Sequence, residues 1–150
     1  MRALASQILR DSQEDGCFTS SCGRSAILDR LRELHSFDTC LHRPKGVALV
    51  AALRGRSAEG DAVLESLEAE QAQCSDWLSE GVELLSQSGS GHWQDAEVLQ
   101  RLITCCCELL LTHFDREDTV LRAITEQLLT PDDWSCIVSS MSSVVQRRSR

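Results

Sequence analysis

Tyrosine is absent from this chain of 150 residues, aromatic residues of all kinds make up 4%, and there are only two prolines. β-Branched residues are also sparse, whereas Leu, Ala, Glu, Gln and Arg recur throughout. A sheet needs β-branched and aromatic side chains to cover its faces, so this composition disfavours strands and favours helices. No window approaches the roughly 18 to 20 consecutive apolar residues that a membrane helix requires. The opening MRALASQILRDSQEDG turns acidic too early for a signal peptide, so a cytoplasmic location is the expectation. Clustered positive charge is scarce as well. The formal net charge is -8, and the terminal RRSR, the one basic cluster, reads as a frayed tail. Nucleic acid is therefore not expected as a partner, because binding a phosphate backbone requires concentrated positive charge, and without an apolar span no membrane is expected either.

Catalytic signatures are missing too. There is no Gly-rich phosphate loop, no G-x-S-x-G, no H-E-x-x-H and no dinucleotide fingerprint. Asp115 and Glu117 are two residues apart, a spacing that does not let them face one another on a helix as an acid and base pair. An enzyme is not the expectation.

The chain has the length of one ordinary domain, enough to bury a core without covalent staples. Its eight cysteines read as reduced thiols. Cys40, Cys74, Cys106 and Cys136 fall in helical patterns, where cysteine serves as a small hydrophobe. Adjacent helical residues are turned by about 100 degrees, so of Cys105, Cys106 and Cys107 one is expected to face the core and two its edges. Cys17 and Cys22, separated by four residues in a Gly- and Ser-rich stretch, have the makings of a redox pair or of zinc ligands, but no second close pair accompanies them.

Residues 1–24 read as a weakly ordered N-terminal extension with at most a short helix over ALASQILR. Ordered helix is expected from Ser25, a candidate cap, and Pro44 and Gly46 are expected to kink or weaken it. The predicted helices cover 24–54, 61–86, 94–128 and 131–147, with residues 148–150 as a basic tail. SQSGSG supplies a linker before the third, His92-Trp93 an anchoring turn, and Thr130-Pro131 with Asp133 a capping box for the fourth. Short connections make neighbours antiparallel, so the expected fold is an all-α, up-and-down four-helix bundle over 25–147.

Residues three and four apart share a helical face. Tracing such lines gives Leu102, Cys106, Leu110, His113, Glu117, Leu121, Ile124 and Leu128 on one helix. Leu64, Leu67, Gln71, Cys74, Leu78 and Leu85 form another. A third runs through Leu28, Leu31, His35, Asp38 and His42. Each line carries polar groups inward. A buried carboxylate without a partner costs several kcal/mol, a cost offset by an ion pair, a retained proton or a metal ion.

The stretch from His113 to Glu117 and on to Leu121, followed by LLTPDDW, resembles the last ligand helix of hemerythrin-like domains, the HHE cation-binding family. LHRPKGVALVAALRGRS resembles that family's first His-x-x-x-Glu block, and EAEQAQCSDWL its central segment. The resemblance spans residues 25 to 145. It implies an antiparallel four-helix bundle around a non-haem iron pair held by histidines and carboxylates. His42, His113 and Glu117 match ligand positions. Gly46 stands where the first block has glutamate, Gln71 where the central block has histidine, and the family's earliest histidine has no counterpart in residues 1–24.

Two expectations follow. In one, His42, His113 and Glu117 hold a single ion, with His35 or Asp38 filling a gap. Such a nitrogen and oxygen set accepts iron, in a mononuclear or incomplete di-iron site, and equally zinc or manganese. The resemblance then implies iron handling, or sensing of a diatomic gas or redox state. In the other, the site is degenerate and metal-free, and the bundle serves as a protein-interaction domain for a partner or a second copy.

Overall fold

The computed structural model describes residues 1–14, 16–87 and 96–148, and their side chains as far as Met141. Among them all regular structure is helical: α1 (Arg2–Ser12), α2 (Ser21–Phe37), α3 (Arg43–Leu53), α4 (Ala58–Gln87), α5 (Ala96–Arg116), α6 (Arg122–Leu128) and α7 (Pro131–Arg148). Two π-helical turns, Asp38–His42 and Glu117–Leu121, join α2 to α3 and α5 to α6 without a break in the rod. The described residues therefore build five rods, packed together as a bundle. No described helix is long and apolar enough to cross a membrane.

Local chemistry sets the boundaries. The first long helix starts earlier than expected, because the cap is Ser20 and not Ser25: its Oγ accepts from the Gly23 amide at 3.0 Å. α4 likewise begins at Ala58 and not near 61, since Ser57 Oγ accepts from the Gly60 amide at 2.9 Å. Gly55, at φ 79, turns the chain out of α3 in a left-handed conformation that suits glycine. Thr130 and Asp133 form the anticipated reciprocal cap, with Thr130 N–H donating to Asp133 Oδ2 at 2.8 Å and Asp133 N–H to Thr130 Oγ1 at 3.3 Å. The linker around Ser88–Gly91 and the His92-Trp93 turn lie outside the described residues, as do the last two residues of RRSR.

Lateral contacts set the directions. A Cβ on Gly81 would touch Leu31 and Ile103, while one on Gly60 would approach Ile124 and Leu128. Thus the C-terminal half of α4 meets α2 and the start of α5, and its N-terminal half meets α6. Both neighbours run antiparallel to α4, as short connections require.

The N-terminal segment departs from expectation. Where a weakly ordered extension is predicted, α1 lies along α5 with Ala5, Ile8 and Ser12 fully buried, and Phe18 follows them inward. Arg2 pairs with Asp115 and Asp118 and sits 5.9 Å from the Phe114 ring centre, while Arg30 of α2 pairs with Asp11. The short apolar line of α1 is too weak to announce a stable helix by itself; α5 supplies the surface that stabilises it.

The core is divided in two. One cluster joins α1, α2, the C-terminal half of α4, and α5, through residues such as Ile8, Leu31, Leu78 and Ile103. The other joins α3, the N-terminal half of α4, α6 and α7, through Leu49, Leu53, Leu64 and Ile137. Each level thus has four helices, the fourth being α1 at one end and α7 at the other. The inward polar residues fall between the two clusters.

Candidate metal centre

Both π-turns carry a donor residue. His42 closes the first and Glu117 opens the second. Proline lacks the amide hydrogen of an α-helical turn and its ring collides with the carbonyl four residues back, so the widened turn just before Pro44 accommodates it. Each π-turn also contains a threonine whose hydroxyl bonds the carbonyl four residues earlier: Thr39 to His35 at 2.9 Å and Thr119 to Asp115 at 2.7 Å. Such back-bonding bends helices.

The result is a three-residue cluster in which one ligand atom each from His42, His113 and Glu117 lies within 4.8 Å of the others. His42 Nε2 is 2.9 Å from Glu117 Oε2. His113 is 2% exposed, and its Nε2 stands 3.5 Å from Glu117 Oε1 without making a hydrogen bond. The two imidazoles meet edge to face with centroids 5.8 Å apart, and Phe114 packs against His42 at 5.3 Å.

Asp38 and His35 stand elsewhere. Asp38, 1% exposed, sits behind His42 and not among the gathered donors. Its Oδ1 accepts from His42 Nδ1 at 3.2 Å and from Gln71 Nε2 at 2.9 Å, and its Oδ2 from Arg43 at 2.9 Å and Ser75 Oγ at 3.2 Å. One buried carboxylate thereby fixes two neighbours. It holds the proton of His42 on Nδ1, which turns Nε2 toward Glu117, and it holds the Gln71 amide so that Oε1 points away from it. His35 keeps a buried Nδ1 without a hydrogen-bond partner but does not join the cluster.

Sequence reasoning missed Glu70. It pairs with Arg116, and its Oε2 lies 3.5 Å from His113 Nδ1, the same kind of support behind the second imidazole. Glu70 is the residue before Gln71, at the edge of a face that was traced only through its centre. Arg43 and Ser75, the other holders of Asp38, carry no periodic signal at all.

The electrostatics follow from these contacts. Burial by itself would lower the His42 pKa, but its bonds to Asp38 and Glu117 outweigh burial and push it up to about 9. Burial would raise Glu117, yet the two imidazoles hold it down at about 2. Asp38 is likewise raised by burial and lowered more strongly by His42, Arg43 and Gln71, to about 2.

The residues fit a metal ion. Bonds of about 2.0–2.2 Å to imidazole nitrogen and carboxylate oxygen place donors about 3.4 Å apart in a tetrahedral shell and at most about 4.3 Å apart on opposite sides of an ion, so the cluster, at up to 4.8 Å, needs to close by at least about half an ångström. His113 Nε2 and Gln71 Oε1 are both buried lone-pair donors without a hydrogen-bond partner, which a cation would satisfy. Glu117 is ionised and can serve as a ligand directly.

Two cavities reach the cluster. One, of about 380 Å³, runs between α3 and α4 to His42, His113, Glu117 and Gln71. The other, of about 200 Å³, approaches His42 and Glu117 past Lys45 and Trp134. Gly46 lines both, and a Cβ there would meet nothing within 4 Å.

The cysteines stand apart from this site. All eight are free thiols. Cys74, Cys106 and Cys107 are buried, and burial pushes each up to about 12, leaving them unreactive. Two of the Cys105–Cys107 run therefore face the core where one was expected, because α5 is covered by α1 as well as by α4. Cys40 and Cys136, expected as core residues, are exposed.

No protein-family model, no curated protein and no solved structure matches this chain. What its own geometry establishes is an all-helical protein with a His42, His113 and Glu117 cluster able to chelate a metal ion.

Proposed function

We propose that this chain is a hemerythrin-like metal-binding protein of the cytoplasm, holding one divalent ion on His42, His113 and Glu117 and used in iron handling or in sensing a gas or redox state. The observation that carries it is the gathering of one donor atom each from His42, His113 and Glu117 within 4.8 Å of one another, with His113 Nε2 buried and making no hydrogen bond. Iron, zinc and manganese all suit two nitrogens and a carboxylate. Gly46 and Gln71 favour a single ion over a pair, since glycine offers no donor. Binding, without catalysis, is the role that these residues support. The test is metal analysis of protein purified after expression with iron and zinc supplied, alongside His113→Ala and Glu117→Ala. One ion per chain, lost in both variants, is the expected result; background metal in the parent protein overturns it.

A metal-free interaction domain is the second reading. It is favoured by the 2.9 Å contact between His42 Nε2 and Glu117, which already satisfies two members of the cluster. It also draws on a groove of about 680 Å³ between α3 and α7, edged by Val47, Ala51, Ile137 and Met141. A folded, metal-free protein that self-associates through α3 and α7 would favour this reading.

A further inference from the structure

The larger cavity exceeds what an ion and its waters need. At about 380 Å³ it has room for roughly a dozen water molecules of about 30 Å³ each. A diatomic gas occupies a small part of that space. The volume falls within the range of roughly 300–1,000 Å³ typical of pockets that take whole small molecules. Its walls are mostly apolar, from Val47 and Val50 of α3, Leu64 and Leu67 of α4, and Leu121, with Glu68 and Asp76 also lining it, and the polar cluster closes one end. Apolar walls leading to a polar end suit a molecule with an apolar tail and a single polar head.

Charge selects the head. Asp38 is matched by Arg43, Glu70 by Arg116 and Glu68 by Arg54, and Asp76, the further carboxylate lining the cavity, is exposed, where water screens it. A divalent ion with Glu117 and two neutral imidazoles would carry one net positive charge. Beside the buried Leu64, Leu67 and Leu121, that charge is offset best by one negative charge at bonding distance. A dianion would overshoot, and a cation would be repelled. At Gly46, where a Cβ would meet nothing within 4 Å, the wall of the cavity is left open.

We infer that the cavity between α3 and α4 binds a monoanionic amphiphile, a medium-chain carboxylate being the simplest, with its head at the ion held by His42, His113 and Glu117. This rests on the metal reading above. The ligand's carboxylate completes the charge balance, and its chain replaces water against Val47, Val50, Leu64 and Leu67.

The test starts from protein loaded with cobalt(II), its stoichiometry measured before any ligand is added. Octanoate and acetate are then titrated while the visible spectrum of the ion is followed. Octanoate is expected to bind at least tenfold more tightly than acetate, with the same spectral change. Gly46→Leu, which adds bulk to the cavity without removing a ligand, should retain cobalt and lose at least tenfold in octanoate affinity. Val50→Phe fills the same space one turn on and carries the same expectation. Absence of cobalt at the outset overturns the metal reading and this inference with it. Cobalt bound but octanoate no tighter than acetate overturns the inference alone. So does octanoate binding unchanged in both filled variants, or equally tight to the metal-free protein.

Discussion

Metal binding at this site must compete with a proton. His42 Nε2 lies 2.9 Å from Glu117 and Nδ1 lies 3.2 Å from Asp38, and these two anions hold the ring protonated up to about pH 9. A metal ion takes the nitrogen lone pair, so the proton has to leave. With the pKa at about 9, protonated imidazole outnumbers free imidazole about a hundredfold at pH 7 and equals it at pH 9, so affinity should rise about fiftyfold between them. Calorimetric titration with zinc in buffers of different ionisation heat measures this directly. It should record about one proton released from His42 per ion at pH 7, and fewer toward pH 9. The same ion pairs act on the metal-free fold. Because the folded pKa lies above the ordinary 6.5, their contribution is complete below pH 6.5 and is lost as the pH rises through about 9. It is on the order of 3 kcal/mol, shared with Asp38 and Glu117. Affinity that is flat or falling from pH 7 to 9, or binding without proton release, would refute this account of His42.

Asp38→Asn removes a carboxylate with four partners, and should cost about 3–5 kcal/mol in urea denaturation because Arg43 and His42 lose their buried counter-charge. A loss below about 1 kcal/mol would mean that water replaces it freely. In acid, the depressed pKa values of Asp38 and Glu117 give stability that is present above about pH 4.5 and lost as the pH falls through about 2, which an acid titration followed by circular dichroism will locate. Ile8→Ala, in the helix that composition alone leaves weakly ordered, should destabilise the whole bundle by about 2–5 kcal/mol, and a negligible change would detach α1 from the core. Gly46→Glu places a carboxylate where a side chain meets no obstacle, and by metal titration should bind zinc at least about tenfold more tightly than the parent chain.

Helical periodicity made most of the bundle legible. The line Leu64, Leu67, Cys74, Leu78 and Leu85 is buried throughout, and Gln71 interrupts it at the height of the site. The pair His113 and Glu117 was visible because four residues of helix bring them to one face. Their π-turn was not visible, because back-bonding by Thr119 has no periodic mark. Along α5 the traced line was slightly rotated: Leu99, Ile103 and Cys107 are buried beside it, while Leu102 is only partly so. α1 accounts for that rotation by covering a second face of α5. A helix covered from two sides needs apolar residues over a wider arc than one line can trace. Asp38 was legible as an inward polar residue but not as a support for other residues, since its partners Gln71 and Ser75 come from a distant part of the chain.

The division of the core explains why the polar cluster can exist where it does. Asp38, His42, Gln71, His113 and Glu117 are embedded in neither apolar cluster but lie between them, at the level where α2 gives way to α3 and α5 to α6. In a continuous α-helical register, the carbonyls at those levels would be tied into regular turns. The two π-turns widen both rods at the same height, and each contributes one donor to the gap so formed. The apolar clusters above and below then hold α4 and α5 at fixed spacing, so Glu70 can brace His113 and Asp38 can brace His42. A cluster supported in this way can have a residue without a side chain beside it, as at Gly46, without loss of the fold, because stability comes from the two apolar ends. Dependence on metal should therefore appear in the site's own properties more than in global unfolding.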